Sequence, residues 1–384
     1  MTDLGACPPG SRIGSRSPVD SAAMRRPTAV LALLSLLSAA LPSTGCKSGG
    51  IGFITLMPGV VNDPTNRTLR REIIQFANAQ FCKEMQKRGI PIRMREDEPV
   101  IGRFFANNCS YREMENGDIF VQFAGSGYAW TKASGRIGYD ASGSVQYNPD
   151  FFVEKDALYA YFRPRNVQST EFKTKMVEVT SGGGLASLGL KVSEDLANRM
   201  GSQIINQEIG KGFTVIREEN GSVDFGLGIV ERGQRPFHPF QVKGSERATL
   251  ANERSETHAE QRDFIGPLEV DDSGRALFLT MKLDGAPAAD ILILPKDTAD
   301  AWLLGYIAKA GAPALTTSVI LGDTISSKGE YRRTVPLKKG LYYLVIDHSS
   351  SAGPTHPPPP TVGLGGVADQ PATVSYVVQV GDAP

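Results

Sequence analysis

The chain has 384 residues, of which 41 are lysine or arginine and 41 are aspartate or glutamate, so its formal net charge is zero. This balance argues against nucleic-acid binding, because contact with phosphates requires a basic excess on the binding surface. Hydrophobic residues make up 41% of the chain, which is enough for packed cores. The 41 glycines and 25 prolines favour strands joined by many turns. We therefore expect one to three globular domains and no nucleic-acid partner.

The first distinctive segment is an uninterrupted run of small and apolar residues at 29–41. A helix that spans a bilayer needs about 20 apolar residues, so this run is too short to stay in a membrane. It fits the roughly 7 to 15 residues of the hydrophobic region of a secretory signal. Arg25 and Arg26 precede it and supply the positive charge of such signals. We predict that residues 1–45 are a leader and signal peptide that is removed, with the true start at Met24; the alternative for residues 1–23 is an unusually long leader.

Small residues at 43–45 lead directly to Cys46. The sequence Ser-Thr-Gly-Cys resembles the lipobox of bacterial lipoproteins, although Ser43 stands where that family usually has leucine. The resemblance implies that the Cys46 thiol receives a diacylglyceryl group and that the chain is cut just before it. The alternative is ordinary signal cleavage slightly upstream, which would leave Cys46 as a free thiol.

Residues 46–63 are predicted to be a lipidated tether. Lys47 follows the anchor, whereas lipoproteins retained in the inner membrane are associated with aspartate at this position. The resemblance therefore implies a cell-envelope lipoprotein of the outer membrane. Removal of the leader would leave 37 basic and 39 acidic residues, so no electrostatic membrane clamp is expected. Two or three acyl chains would suffice, because two chains bind firmly where one binds marginally.

Two cysteines remain once Cys7 leaves with the leader and Cys46 is assigned to lipid. The remaining cysteines are Cys82 and Cys109. An even number of cysteines in an oxidising compartment favours a disulfide between them. That bond would close a loop of about 28 residues and contribute up to about 3.5 kcal/mol. The alternative is two unrelated buried thiols. Neither cysteine belongs to a C-x-x-C pair, which argues against redox chemistry.

Residues 64–230 are predicted to form an α+β domain. Apolar residues recur at helical spacing in "TLRREIIQFANAQFCKEMQKRG" and again in "SEDLANRMGSQIINQEIGKG". Between about 90 and 180 the period changes to two, and Asn116-Gly117 indicates a hairpin. The expected architecture is two helices packed on a curved antiparallel sheet.

This order of elements, together with "LANRMGSQIINQEIGKGFTVI", resembles the tubular lipid-binding fold of the TULIP superfamily. The resemblance implies an apolar groove between helix and sheet. Its candidate lining residues are Ile73, Ile74, Phe81, Val121, Phe123, Met200 and Ile204. The alternative is that these side chains form a solid core, which is the commoner fate of an apolar stripe.

Residues 231–262 are polar, charged and aperiodic, and are predicted to be a linker. Beyond them, residues 263–384 contain seven short apolar runs separated by turn residues, which predicts an all-β sandwich. These runs are "DFIGPLEV", "ALFLTMKL", "DILILP", "AWLLGYI", "TTSVIL", "LYYLVID" and "ATVSYVVQV". The segment "LKKGLYYLVIDHS" resembles secreted jelly-roll modules, which implies a binding or stabilising role.

The sequence contains few signs of catalytic chemistry. The four histidines form no H-E-x-x-H motif, and the chain contains no G-x-S-x-G elbow and no phosphate-binding loop. Asp347-His348 could serve a Ser-His-Asp hydrolase, but no nucleophile is marked. We expect no enzyme activity, no cofactor and no metal.

The predicted function is therefore a non-catalytic envelope lipoprotein that acts as a structural or binding module. Its expected partners are the membrane, reached through the lipid anchor, and an envelope protein, glycan or lipid. One alternative is a carrier of lipid or another apolar ligand through the TULIP-like groove. A lesser alternative is an exported hydrolase.

Overall fold

The computed structural model describes residues 57–95, 97–132, 135–154, 157–178, 194–242, 246–358, 361–363 and 366–384. The predicted leader, the Cys46 anchor and the tether up to residue 56 lie outside these residues, as does the side chain of Met200. The helices of the described part are α1 Pro58–Val61, α2 Arg67–Gln86, α3 Glu194–Gly210 and α4 Lys296–Ala308. Among them, no helix combines the length and the apolar character needed to cross a bilayer.

The first half of the fold is a curled antiparallel sheet of seven strands. They lie side by side in chain order, as β1 Ile90–Ile92, β2 Gly102–Glu113, β3 Ile119–Thr131, β4 Gly135–Glu154, β5 Ala157–Val177, β6 Phe213–Glu218 and β7 Val223–Leu227. The pairing of β4 with β5 shifts register at three points. Such irregularities bend a strand and increase its twist, which suits a sheet that curls.

Helices α2 and α3 pack on the same side of this sheet. Phe81 of α2 and Ile205 of α3 belong to one buried apolar cluster with Val145 of β4. The sequence prediction of a curved antiparallel sheet carrying helices is thus confirmed at this level.

The second half contains two four-stranded antiparallel sheets, ordered β13-β10-β17-β8 and β12-β11-β14-β9. Their strands are β8 Ala248–Thr257, β9 Gln261–Val270, β10 Arg275–Gly285, β11 Ala288–Pro295, β12 Leu321–Ser326, β13 Glu330–Leu337, β14 Gly340–His348 and β17 Ala372–Asp382. A small hairpin pairs β15 Thr361–Gly363 with β16 Gly366–Ala368. Apolar residues of both large sheets, including Leu277, Ile291 and Leu344, form a common core. The predicted sandwich is confirmed in its arrangement of antiparallel sheets.

The structure differs from the prediction at "AWLLGYI", which belongs to α4 rather than to a strand. Ala299, Trp302 and Leu303 are buried on this helix, followed by Tyr306 and Ile307. That spacing matches one helical face, but a short apolar run does not by itself distinguish a helix from a buried strand. Strand β13 was not predicted, because its sequence is largely polar and exposed.

The segment predicted as a linker is also more ordered than expected, because it contains β8. Upstream of β8, the guanidinium of Arg232 lies 4.0 Å from the ring centroid of Phe152. Arg235 contacts Glu218 at 2.7 Å and Asp224 at 3.5 Å. Polar composition therefore reflects ion pairs and cation–π contacts here as well as exposure to solvent.

Helix α4 lies between the two halves. It covers the β9-β11-β14 face through Trp302 and Leu303, and its Tyr306 contacts Tyr128 of β3. At Gly138 of β4, an added Cβ would lie 1.8 Å from the carbonyl oxygen of Ile307, so only glycine fits. All described residues belong to one compact unit.

Candidate functional site

The residues predicted to line an apolar groove are distributed between two clusters. Ile73 is buried with Val61 and Phe151 at one end of the curled sheet, and Ile74 packs against that group. The main cluster under α2 contains Phe81, Val121 and Phe123. Ile204 of α3 is half-buried and belongs to neither cluster. The structure thus brings Phe81, Val121 and Phe123 together and places Ile73, Ile74 and Ile204 elsewhere, while the side chain of Met200 lies outside the described residues.

Aromatic rings fill the space around Phe81. Its ring centroid lies 4.6 Å from that of Phe162, 5.5 Å from that of Phe213 and 5.9 Å from that of Tyr147. These are distances of direct contact between rings. The Tyr147 hydroxyl donates to the carbonyl of Ile209 at 3.2 Å, which links the rings to α3. This part of the interior is packed with the protein's own side chains.

The predicted disulfide is confirmed. Cys82 of α2 is bonded to Cys109 of β2, with an S–S distance of 2.10 Å. The bond fastens α2 to the curled sheet beside the main apolar cluster.

The Asp347-His348 pair does not have the geometry of a catalytic dyad. The carboxylate of Asp347 accepts hydrogen bonds from Arg262 and from the backbone and hydroxyl of Ser349. His348 Nδ1 instead lies 3.2 Å from the carbonyl oxygen of Thr257. Burial raises the pKa of Asp347 and lowers the pKa of His348. Each side chain thus has a separate structural partner.

An ionic network connects the curled sheet with the sandwich. Arg103 of β2 is 2% exposed and donates to Asp263 of β9 at 2.7 and 2.9 Å. It also donates to Glu253 of β8 at 2.9 Å and to the Tyr376 hydroxyl at 2.7 Å. Burial opposes the ionisation of Glu253, but Arg103 and Arg93 beside it lower its pKa. The buried charges therefore compensate one another.

Two further buried arginines anchor α4 and the turn that follows it. The guanidinium of Arg136 lies 3.7 Å from the ring centroid of Tyr306 and donates to the carbonyls of Lys309 and Gly311, both at 2.9 Å. The guanidinium carbon of Arg262 lies 3.9 Å from the ring centroid of Trp302. We call Arg103, Arg136 and Arg262 together the arginine seam. The gap beside it has a volume of about 10 Å³, room for about one water molecule.

His258 lies at the edge of the seam and contacts one aromatic ring and two carboxylates. Its ring stacks on Trp130 of β3, with 3.4 Å between centroids. Nδ1 lies 2.7 Å from Asp369 and Nε2 lies 3.2 Å from Glu256. Burial alone would lower the pKa of His258, but the hydrogen bonds to the two carboxylates raise it. With a carboxylate at each nitrogen, the ring is suited to be a fixed cation rather than a general base.

A different kind of site lies along α3. An open groove of about 550 Å³ is lined by uncharged polar side chains, namely Asn198, Ser202, Gln203, Asn206 and Gln207. We call it the amide groove. Its lining was not singled out from the sequence, where it reads as the solvent face of an amphipathic helix. The only local signal is the recurrence of Asn, Ser and Asn at intervals of four residues.

The carboxamides of the amide groove are positioned by β5. Asn198 Oδ1 accepts hydrogen bonds from the backbone N–H and the hydroxyl of Thr174, both at 2.8 Å. Asn206 Oδ1 accepts from the hydroxyl of Thr170 at 2.7 Å. The side chains are therefore oriented before any ligand arrives, which reduces the cost of binding.

Comparisons with known proteins identify no family. No family model matches the chain, and no curated protein matches it. One similar solved structure, that of the infectious bursal disease virus Gx strain, has 9% identity and a TM-score of 0.20. The match covers 76% of this chain and 75% of the viral chain. Because the TM-score is so low, we draw no conclusion about fold or function from it.

Proposed function

We propose that this protein is a non-catalytic lipoprotein of the bacterial cell envelope, anchored in the outer membrane through Cys46, whose folded part is a structural or binding module. The observation that carries the choice of module over lipid carrier is the packing around Phe81. Its ring contacts three other rings in the space where a TULIP-like groove would run. A ligand there would have to displace side chains that are already close-packed.

The proposal of a module rather than a hydrolase rests on the partners of the buried titratable groups. Asp347 binds Arg262 instead of His348, and His258 has carboxylates at both ring nitrogens. A general base needs a nitrogen free to accept a proton from the nucleophile. These contacts support a structural role for both histidines.

The anchor would keep the folded part close to the membrane. Met57, the first described residue, lies eleven positions after Cys46. A chain of that length spans at most about 36 to 40 Å. The module would therefore act within a short distance of the bilayer surface, where envelope proteins and glycans are its available partners.

The anchor is tested by intact mass measurement on protein extracted from membranes. We expect a chain that begins at Cys46 and carries two or three acyl chains. Cys46→Ser should abolish acylation and release the protein from the membrane fraction. Cys7→Ser is the matched control and should change nothing, because that residue is predicted to leave with the leader. An unmodified Cys46 thiol in the wild-type protein would refute the anchor.

The module is tested separately by native mass spectrometry of the Cys46→Ser protein, prepared without detergent. We expect the mass of the polypeptide alone. A bound lipid that survives purification would favour the carrier alternative, and the filled interior would then have to open in solution.

A further inference from the structure

We propose that the amide groove binds a neutral, hydroxyl-rich glycan chain. This inference deepens the proposed function, because it assigns a ligand class to the binding module. It depends on described residues of α3 and β5 alone and needs no contribution from the anchor. The ligand class follows from the charge, hydrogen-bonding capacity and spacing of the lining side chains.

The first argument is the chemistry of the lining. Serine, asparagine and glutamine each donate and accept hydrogen bonds, and none carries a charge. A sugar hydroxyl also donates and accepts, so the two surfaces are complementary. The five lining residues include no lysine or arginine that would select an anion, and no carboxylate that would select a cation. A neutral polyhydroxylated ligand fits this set best.

The second argument is the orientation of the carboxamides. A backbone N–H can only donate, so the contact with Thr174 identifies the accepting atom of Asn198 as Oδ1. The hydroxyl of Thr170 donates to Oδ1 of Asn206 at 2.7 Å. Among the described residues, neither Nδ2 group has an acceptor, so within this part of the chain both can donate to a ligand in the groove. The threonines act as positioning residues.

The third argument is spacing. Asn198, Ser202 and Asn206 follow one another every four residues, which places polar groups about 6 Å apart and the outer two about 12 Å apart along the helix. A row of that length suits a chain with repeated polar groups better than a single small molecule. The groove has a volume of about 550 Å³ and is open to solvent, so a ligand in it would bind along the helix surface.

An extended peptide is a less suitable occupant. In the described part of the chain, no strand pairs with the second edge of β5 between residues 163 and 177, so strand addition there has to be considered. However, Thr174 N–H at this edge already donates to Asn198. Strand addition also needs pockets for alternate side chains of the peptide, whereas the groove is lined by polar groups.

The test is isothermal titration calorimetry on the full mature lipoprotein in a zwitterionic detergent without a sugar headgroup. The probes are the hexasaccharides of N-acetylglucosamine and of glucose. We expect at least one to bind, and Asn206→Ala to weaken binding about threefold to tenfold, as expected for the loss of one neutral hydrogen bond. Glu208→Gln, on the same helix but outside the lining, should bind like the wild type.

Thr170 provides a second and independent variant. Thr170→Val removes the hydroxyl that orients Asn206 without changing a lining residue, so it should also weaken binding. Thr170→Ser keeps the hydroxyl and should restore it, a rescue that a purely packing role would not produce. Circular dichroism and thermal melting of each variant confirm that it is folded.

Several results would overturn the glycan site. The site is refuted if neither hexasaccharide binds, or if the wild type, Asn206→Ala and Thr170→Val bind equally well. It is also refuted if an extended peptide binds in the groove and no glycan does. The mass of Cys46 is measured on the same preparation. A lipidated protein that binds no glycan refutes the site alone, whereas an unlipidated protein that binds glycan refutes the anchor alone.

Discussion

Replacing Arg103 by methionine removes one of the three cations of the arginine seam. The change leaves Asp263, which lies 2.7 and 2.9 Å from the guanidinium, and Glu253, at 2.9 Å, without their shared partner. Breaking one buried ion pair by removing a single partner costs about 3 to 5 kcal/mol. Because Asp263 loses its guanidinium partner and Glu253 keeps only Arg93, at 3.9 Å, we expect a loss near the upper end, about 5 kcal/mol. This is comparable to the whole stability of a marginal protein.

The free energy of unfolding is measured by urea denaturation of the wild type and the variant. Arg103→Lys keeps the charge but loses the planar fork, so it should lose less stability and remain measurable if the methionine variant does not fold. The control is Arg332→Met, which breaks the exposed pair with Glu330 and should cost at most about 1 kcal/mol. If Arg103→Met lost no more stability than this control, the seam would not stabilise the fold.

Three other changes probe different parts of the structure. Gly138→Ala should lower the free energy of unfolding by about 1 to 3 kcal/mol in urea titrations, because the added Cβ would collide with a carbonyl of α4. The control is Gly274→Ala, whose Cβ would enter open space and should leave the stability nearly unchanged. Replacing Cys82 and Cys109 together by serine should cost about 2 to 5 kcal/mol, measured in the same way. The pKa of His258 in the folded protein lies above its ordinary value of 6.5. The protonated ring therefore contributes its full stabilisation below pH 6.5, and this contribution is lost as the pH rises through the folded pKa. The stability difference between wild type and His258→Gln should therefore shrink with rising pH, and a difference that grew instead would contradict the assignment of a cation.

Local sequence patterns were sufficient to predict those elements whose backbone conformation is determined by neighbouring residues. Helix α2 follows from its apolar period, and the β2–β3 hairpin turns at Asn116-Gly117, where Gly117 has a φ of 84°. Glycine adopts such a positive φ without steric cost, which explains the strength of that signal. The disulfide also followed from a simple count of cysteines. In each case the evidence lies in a short segment or in the composition.

Local patterns were insufficient where the determining contact is distant in sequence. Arg103 reaches Tyr376 across 273 residues and Asp263 across 160. The residues next to Arg103 in the sequence do not predict these partners. The same limit applies to the amide groove, because Thr170 and Asn206 are 36 residues apart and meet only after α3 folds onto β5.

The seam also accounts for the polar character of the segment between the two halves. A segment that only connected two independent modules would have no reason to bury Arg262 or to hold Glu253, which is half-buried, against the buried Arg103. Instead, Glu253 neutralises a cation of the curled sheet, and backbone hydrogen bonds join Val100 to β8 on both sides of Ser255. A cut upstream of β8 that separated the halves would leave Arg103 buried without Glu253 and Asp263, and would leave those carboxylates without their cation. Either outcome is costly, so the two halves should lose stability together rather than fold as independent pieces.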